Sequence, residues 1–453
     1  MRRLLAACAT AVLLAAQPAA AQSILRDAET ESLFADMTAP LIKAAGLSPR
    51  NVHVVLIQDS SINAFTAGGQ TIYVNSGLLA AADNANQVQG VVAHELGHVA
   101  DGHVALADAG TRPAMGIYIL SMVLGIAAAA AGAGEGAAGI MAAGQQAAMG
   151  KYLAFSRTQE TTADATGAKF LREGGISGRG MLEFFKKLQN EEYRYGFGAK
   201  DIDPFMQTHP VSADRIAALT ADVKNSPAYA KPSDPGFDER LKRVKAKLAG
   251  YVNTTNQTLA AYPESDQSIY AHYARAYAYH KGGFPQKADA EAAALIAERP
   301  HDPYFLELQG QILLEAGRPR DSLAPLRAAT EGSGNNPLIA TTLGHALVAT
   351  DDKANLAEAT RVLRSAVARD DDNPFAWYQL GAAYEAQGDE PRAALAIAEQ
   401  ADLTGDSRRA GQSARAALAG LPPGSADWVR AQDISMASHN EFCSDRKNRK
   451  RCR

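Results

Sequence analysis

The sequence predicts a mainly α protein in two parts: a helical domain with a small β-sheet, followed by an α-solenoid of stacked helix pairs. Three observations carry this. The first half alternates amphipathic helical stretches with two short β-branched runs, Val52–Ile57 and Gln70–Val74. The second half repeats itself at intervals of 34, 34 and 37 residues. The composition is rich in alanine and glycine, which favours helices and close helix packing. At 453 residues the chain is long enough for two or three domains with cores of their own. With 45 basic against 49 acidic side chains, nothing in the charge balance suggests a nucleic-acid partner.

The first residues read as a targeting segment, not as part of the fold. Arg2-Arg3 is followed by an apolar run, Leu4–Ala16, and Ala19-Ala20-Ala21 precedes Gln22, the pattern of a cleavable secretory signal over residues 1–21. The run is short for a membrane anchor, which needs about 20 apolar residues. Cys8 follows too little apolar sequence for a lipoprotein cleavage box. Export would leave Cys443 and Cys452 in an oxidising compartment, where they either close a short loop in the basic tail or stay as free thiols.

Residues 23–50 carry Ile24, Leu25, Leu33, Phe34, Met37 and Leu41 at helical spacing, and Pro49 ends that pattern. The strand Gln70–Val74 follows a Gly68-Gly69 turn. A helix is expected over Asn86–Val104, and others over 151–173, Met181–Tyr193 and within Phe205–Leu219. Met115–Ala133 has no charged residue, so its length permits a membrane crossing. Its small residues equally suit a helical hairpin over the functional site or against a membrane surface. Proline and serine gather at Ser226–Pro235 ahead of a basic helix, Asp238–Leu248. The expected domains are 22–262, with an apolar insertion at 115–150, then the repeats at 263–420 and a tail at 421–453.

The repeat units begin at Ile269, Pro303, Pro337 and Pro374. Their eighth positions are Ala276, Gly310, Gly344 and Gly381, and their eleventh are Tyr279, Leu313, Leu347 and Tyr384. Period and residue types resemble tetratricopeptide repeats, whose concave surfaces recruit peptides or proteins.

The chemistry centres on His94-Glu95-Leu96-Gly97-His98, an HExxH pattern. Four residues apart on a helix, His94 and His98 return to one face and can grip one zinc ion, and Glu95 can take a proton from metal-bound water. A third ligand is needed. His103 is five residues past His98 and does not fit the HExxHxxGxxH spacing, which leaves it a surface or supporting role. Glu160 is the better candidate, and Asp164, one turn on, is placed to hold a ligand imidazole in its tautomer.

HELGH, Ser156–Asp164 (SRTQETTAD), Thr208–Ile216 (THPVSADRI) and Asn63–Leu79 (NAFTAGGQTIYVNSGLL) occur together and in order. In this they resemble the membrane-associated HExxH peptidases that include the CaaX-prenyl endopeptidases and the heat-shock protease HtpX. Export and C-terminal repeats narrow the resemblance to the periplasmic branch that serves outer-membrane β-barrel assembly, and it covers the chain to about residue 420. The resemblance implies a helical zincin-type metalloprotease domain with zinc held by His94, His98 and Glu160, and Glu95 as general base. It implies His209 close to the metal, either supporting the oxyanion or closing the open coordination position. Arg215 would support that site or the substrate carbonyl, and Asn63 and Phe65 would flank the substrate cleft. The implied partners are unfolded or misassembled outer-membrane proteins and the β-barrel assembly machinery, with peripheral membrane contact and no nucleic acid. The implied activity is a periplasmic zinc endopeptidase. The rival expectation is a chaperone or adaptor whose protease is largely auto-inhibited.

Overall fold

The structure, a computed structural model, describes residues 23–130, 134–195 and 209–444. The signal segment, Thr208 and Cys452 lie outside them, as do the residues from Phe205 to Gln207. Contacts divide the chain into two compact units that meet in sequence at Leu241/Lys242, with Asp27–Thr30 belonging to the second.

The first unit holds a four-stranded sheet ordered β1-β2-β4-β3, made of β1 (Ser23–Leu25), β2 (His53–Gln58), β3 (Ala64–Thr66) and β4 (Thr71–Asn75). The expected helix over 23–50 is therefore corrected. Ile24 and Leu25 pair with Ile57 and Leu56 of β2 in an antiparallel ladder, and helix α1 runs only from Ala28 to Ala44. Ladder hydrogen bonds to a strand distant in sequence outweigh a local periodicity that would suit a helix equally well. β2 and β4 run parallel, and β3, which alternation did not reveal in so short a run, forms the edge through a hairpin with β4. Gly68 and Gly69 turn that hairpin at φ of 82° and 60°, where a side chain would be strained.

After the short helix α2 (Ser76–Ala81), helix α3 spans Ala85–Ala100. Asn84 caps it by accepting from the Gln87 amide, and Asp101 ends it. The helix expected as far as Val104 thus stops four residues short, because Gly102 turns the chain at φ 68° and His103 opens a new helix, α4 (His103–Ala130). Helix α5 then runs unbroken over Gly134–Glu173, so the stretch at 151–173 is the second half of a 40-residue rod. Helices α4 and α5 pack along each other as a hairpin. Helices α6 (Arg179–Tyr195) and α7 (Ala213–Lys224) complete the part that builds the site. Leu33, Phe34, Met37, Ile72, Val74, Val88, Val91, Leu96, Phe184 and Phe185 are the buried core of the unit. Gln89 of α3 donates to the Met37 carbonyl of α1 over 2.8 Å, and Gly90 lets α3 meet the Met181 backbone of α6.

Helix α8 (Pro235–Val252) contains the division between the units. In the second unit, after α9 (Thr255–Ala261), four helix pairs follow: α10/α11 (Ile269–Lys281, Pro285–Glu298), α12/α13 (Pro303–Glu315, Pro319–Gly332), α14/α15 (Pro337–Ala349, Lys353–Arg369) and α16/α17 (Pro374–Gln387, Glu390–Leu403). Each first helix starts at the residue that the repeat register predicts, capped by Ser268, Asp302, Asn336 or Asn373. The small eighth residue has a steric reason. A Cβ on Gly310 would stand 2.4 Å from Cγ of Leu326, and one on Gly344 2.4 Å from Cγ of Leu363. Two further helices, α18 (Ser407–Gly420) and α19 (Ala426–Ser444), share one apolar cluster with α17. Much of the segment set apart as a tail is therefore a packed helix, in which Cys443 is disulfide-bonded. Glu29 and Asp27 are held by Lys247 at 3.2 and 2.6 Å, and Glu29 accepts from the Tyr273 hydroxyl at 2.7 Å.

Candidate metal centre

Two glycines decide where the ligands meet. A Cβ on Gly97, inside HELGH, would lie 2.6 Å from the Ala163 carbonyl oxygen of α5; one on Gly167 of α5 would lie 2.8 Å from the Ala93 carbonyl oxygen of α3. Backbone therefore touches backbone in both directions, and Glu160 and Asp164 are brought beside His94 and His98. Sequence reasoning found the carboxylates but not these glycines. The small pair Ala163 and Gly167, four apart on one helix face, was the signal for them.

Ligand atoms of His94, His98, Glu160 and His209 all lie within 4.8 Å of one another, and all four residues are buried. Nε2 of His94 is 3.2 Å from Nε2 of His98, 3.4 Å from Nδ1 of His209 and 3.4 Å from Oε2 of Glu160. Oε1 of Glu160 is 3.4 Å from Nε2 of His98 and 3.0 Å from Nδ1 of His209. Behind the cluster, Nδ1 of His94 is 2.9 Å from Oδ1 of Asp164. A neutral His94 thus keeps its proton on Nδ1 and aims the Nε2 lone pair at its neighbours. Nitrogen and carboxylate lone pairs crowded this closely repel unless positive charge lies among them, so the donor set fits a metal ion.

Protonation follows from the same contacts. Burial alone would lower the pKa of His94, but Asp164 and Glu160 beside it raise it to about 10. Burial lowers His98 to about 4, against the opposing hydrogen bond to Glu160. Burial would raise Glu160, yet hydrogen bonds to three histidines hold it far below the carboxylate range. Burial pushes Glu95 up.

Glu95 is fully buried, and its two oxygens have no hydrogen-bond partner among the described residues; one lies 3.6 Å from Nε2 of His209. Such a carboxylate is costly unless it serves a group the fold brings to it. Arg215, whose amide is capped by Ser212, grips Asp164 through Nε and Nη2 at 2.7 and 2.8 Å. Its Nη1 donates to the Pro210 carbonyl at 2.6 Å and lies 3.1 Å from Glu160. Asn63 and Phe65 lie outside the cluster, at the edge strand: the Asn63 carbonyl accepts from the Asn75 amide at 2.9 Å, and Phe65 stacks on Tyr73 at 5.1 Å. Strand β3 itself packs against α3. His103, given only a surface or supporting role by its spacing, is buried beside His98.

Residues 26–223 match the model of peptidase family M48. The chain is 26% identical to the beta-barrel assembly-enhancing protease of Escherichia coli (strain K12) over 363 residues, 78% of this chain and 71% of that protein. It is 24% identical over 365 residues to the protein of the same name from Yersinia pestis, covering 78% and 72%. With the metalloprotease LoiP of Escherichia coli (strain K12) it shares 36% identity over 171 residues, 37% of this chain and 60% of that protein. An HExxH helix, a glutamate from a second helix and a buried four-residue donor cluster all fall within the residues similar to peptidase family M48, and the chain is a metallopeptidase.

Proposed function

We propose that this chain is a zinc-dependent endopeptidase of the periplasm that degrades misfolded or stalled outer-membrane β-barrel proteins and assists their assembly, with its repeats recruiting the clients. The observation that carries the zinc reading is the set of donor atoms and their convergence. Imidazole nitrogens and a carboxylate converging from two helices are a donor set that suits zinc; five of their separations run from 3.0 to 3.4 Å, and all the ligand atoms lie within 4.8 Å of one another. The clients and the compartment are inferred from the names of the relatives and from the secretory pattern of residues 1–21.

His94, His98 and Glu160 would hold the ion, which supplies a water of lowered pKa and polarises the scissile carbonyl. Glu95, buried beside the cluster and raised above its ordinary pKa, would be the proton carrier, accepting a proton at its carboxylate and passing it to the leaving amine. Asp164 orients His94, and Arg215 positions both carboxylates. Committed to three such contacts, Arg215 is a positioning residue and not a donor to the substrate carbonyl. Asn63 and the edge strand would flank the substrate. Glu95→Gln should keep its bound zinc and lose cleavage of an unfolded barrel protein by at least about a hundredfold; normal cleavage by a zinc-loaded variant would sink this assignment.

One observation favours the rival reading of a chaperone or adaptor with a restrained protease. Nδ1 of His209 stands among the ligand atoms, where a fourth ligand would close the site. We take this as a resting state of the same enzyme. Barrel-protein binding without cleavage by either wild type or Glu95→Gln would favour the adaptor instead.

The α4/α5 hairpin would supply peripheral membrane contact. His103–Ala129 is long and apolar enough to cross a membrane. Small residues face inward, with Gly144 against Ser121 and Gly125 against Met141, while Ile119, Leu120, Val123, Leu124 and Ile126 stand exposed. Gln145 and Gln146 are exposed midway along α5, which makes surface contact the better reading than a crossing.

A further inference from the structure

We propose that His103 is the positioning residue of the metal ligand His98: its Nδ1 accepts the Nδ1 proton of His98 and so fixes the tautomer that presents Nε2 to the ion. This rests on the zinc reading above. Nδ1 of His103 lies 2.9 Å from Nδ1 of His98, with the two ring planes at 72°. On its other side His98 directs Nε2 at the cluster, 3.2 Å from His94 Nε2 and 3.4 Å from Glu160 Oε1. A neutral imidazole that binds through Nε2 carries its proton on Nδ1, and that proton needs an acceptor when it is buried. For His94 the acceptor is the Asp164 carboxylate. For His98 it is a second imidazole, which must then keep its own proton on Nε2.

The fold holds His103 in that place from two sides. On one continuous helix a residue five positions on would point well away from His98. The left-handed turn at Gly102 breaks the helix and swings His103 back. Its carbonyl also accepts from Gln159 Nε2 at 3.4 Å, and Gln159 directly precedes Glu160. The ring is buried, so water does not compete for the contact.

The test titrates Zn²⁺ into the full-length protein against a chelating competitor and compares wild type with His103→Ala, His103→Asn and His98→Ala. His103→Ala should weaken zinc binding by roughly 10- to 100-fold, the loss usual for removing a supporting hydrogen bond. His103→Asn, whose Oδ1 stands in for Nδ1 as acceptor, should recover most of it. Thermal unfolding of the zinc-free proteins shows whether each variant folds. If His103→Ala is unstable, the folded His103→Asn decides the matter, and a loss of the size expected for alanine overturns the proposal. Wild-type affinity in His103→Ala overturns it equally. His98→Ala separates this inference from the one beneath it. If that variant binds zinc as wild type does, the metal site itself is misread; if it loses zinc while His103→Ala keeps it, only the role of His103 fails.

Discussion

Glu95 and His209 differ in their surroundings, and the difference suits the separate roles proposed for them. Glu95 is enclosed, without a hydrogen-bond partner among the described residues, and raised by burial, as suits a group that shuttles a proton. His209 reaches Nδ1 toward Glu160 and Nε2 toward Glu95, so it bridges the two carboxylates, and in the proposed mechanism it would restrain the resting site. Replacing His209 by alanine should therefore raise basal cleavage of an unfolded protein while zinc content stays the same. A fall in cleavage at constant zinc would instead assign His209 to oxyanion support, where losing one donor costs on the order of a hundredfold.

At the level of elements, the contact between α3 and α5 governs the site, because it carries ligands on both sides and is made through glycine. Gly97→Ala would drive a methyl group to 2.6 Å from the Ala163 carbonyl oxygen. Overpacking of this kind costs about 1–3 kcal/mol, and the displacement falls directly on Glu160 and Asp164. Chemical denaturation should register that loss, and zinc affinity should drop with it. Gly150→Ala, on α5 where an added Cβ meets nothing within 4 Å, is the control: it should leave zinc affinity unchanged and, through helix propensity, stabilise by about 0.5–1 kcal/mol. If the two variants behave alike, close approach of the helices is not what sets the ligand geometry. The repeat helices follow the same rule, with Gly310 and Gly344 making room for Leu326 and Leu363.

At the scale of the whole molecule, the first unit carries a surface that water does not favour. Ile119, Leu120, Val123, Leu124 and Ile126 of α4, 51–62% accessible, would each gain roughly half of the ~1.5–3 kcal/mol of a full burial. Wild-type protein should therefore float with phospholipid vesicles in a density gradient, and Ile119→Asp with Val123→Asp should release it. Both residues are more than half exposed, so the double variant leaves the packed interior intact. Wild type that stays behind in the protein fraction would remove the hairpin from membrane contact.

What the sequence determined by itself is what depends on spacing along one chain. The starts of the four repeat pairs, the shared face of His94 and His98, and the candidates Glu95, Glu160, Asp164 and His209 could all be read that way, since helical period and chemical type are local properties. Tertiary structure decided the rest. Ile24 and Leu25 became strand because β2 offered them a ladder, and β3 formed because β4 and α3 gave three residues a place to pack. Gly102 ended a helix whose periodicity would have continued, and that one turn decided between the surface and the supporting place that spacing left open for His103, setting it beside His98. The small pair Ala163 and Gly167 marks a helix face open to close approach, but it does not say that α3 will fill it. That was settled by the backbone contact that Gly97 and Gly167 permit, and with it the meeting of ligands some sixty residues apart.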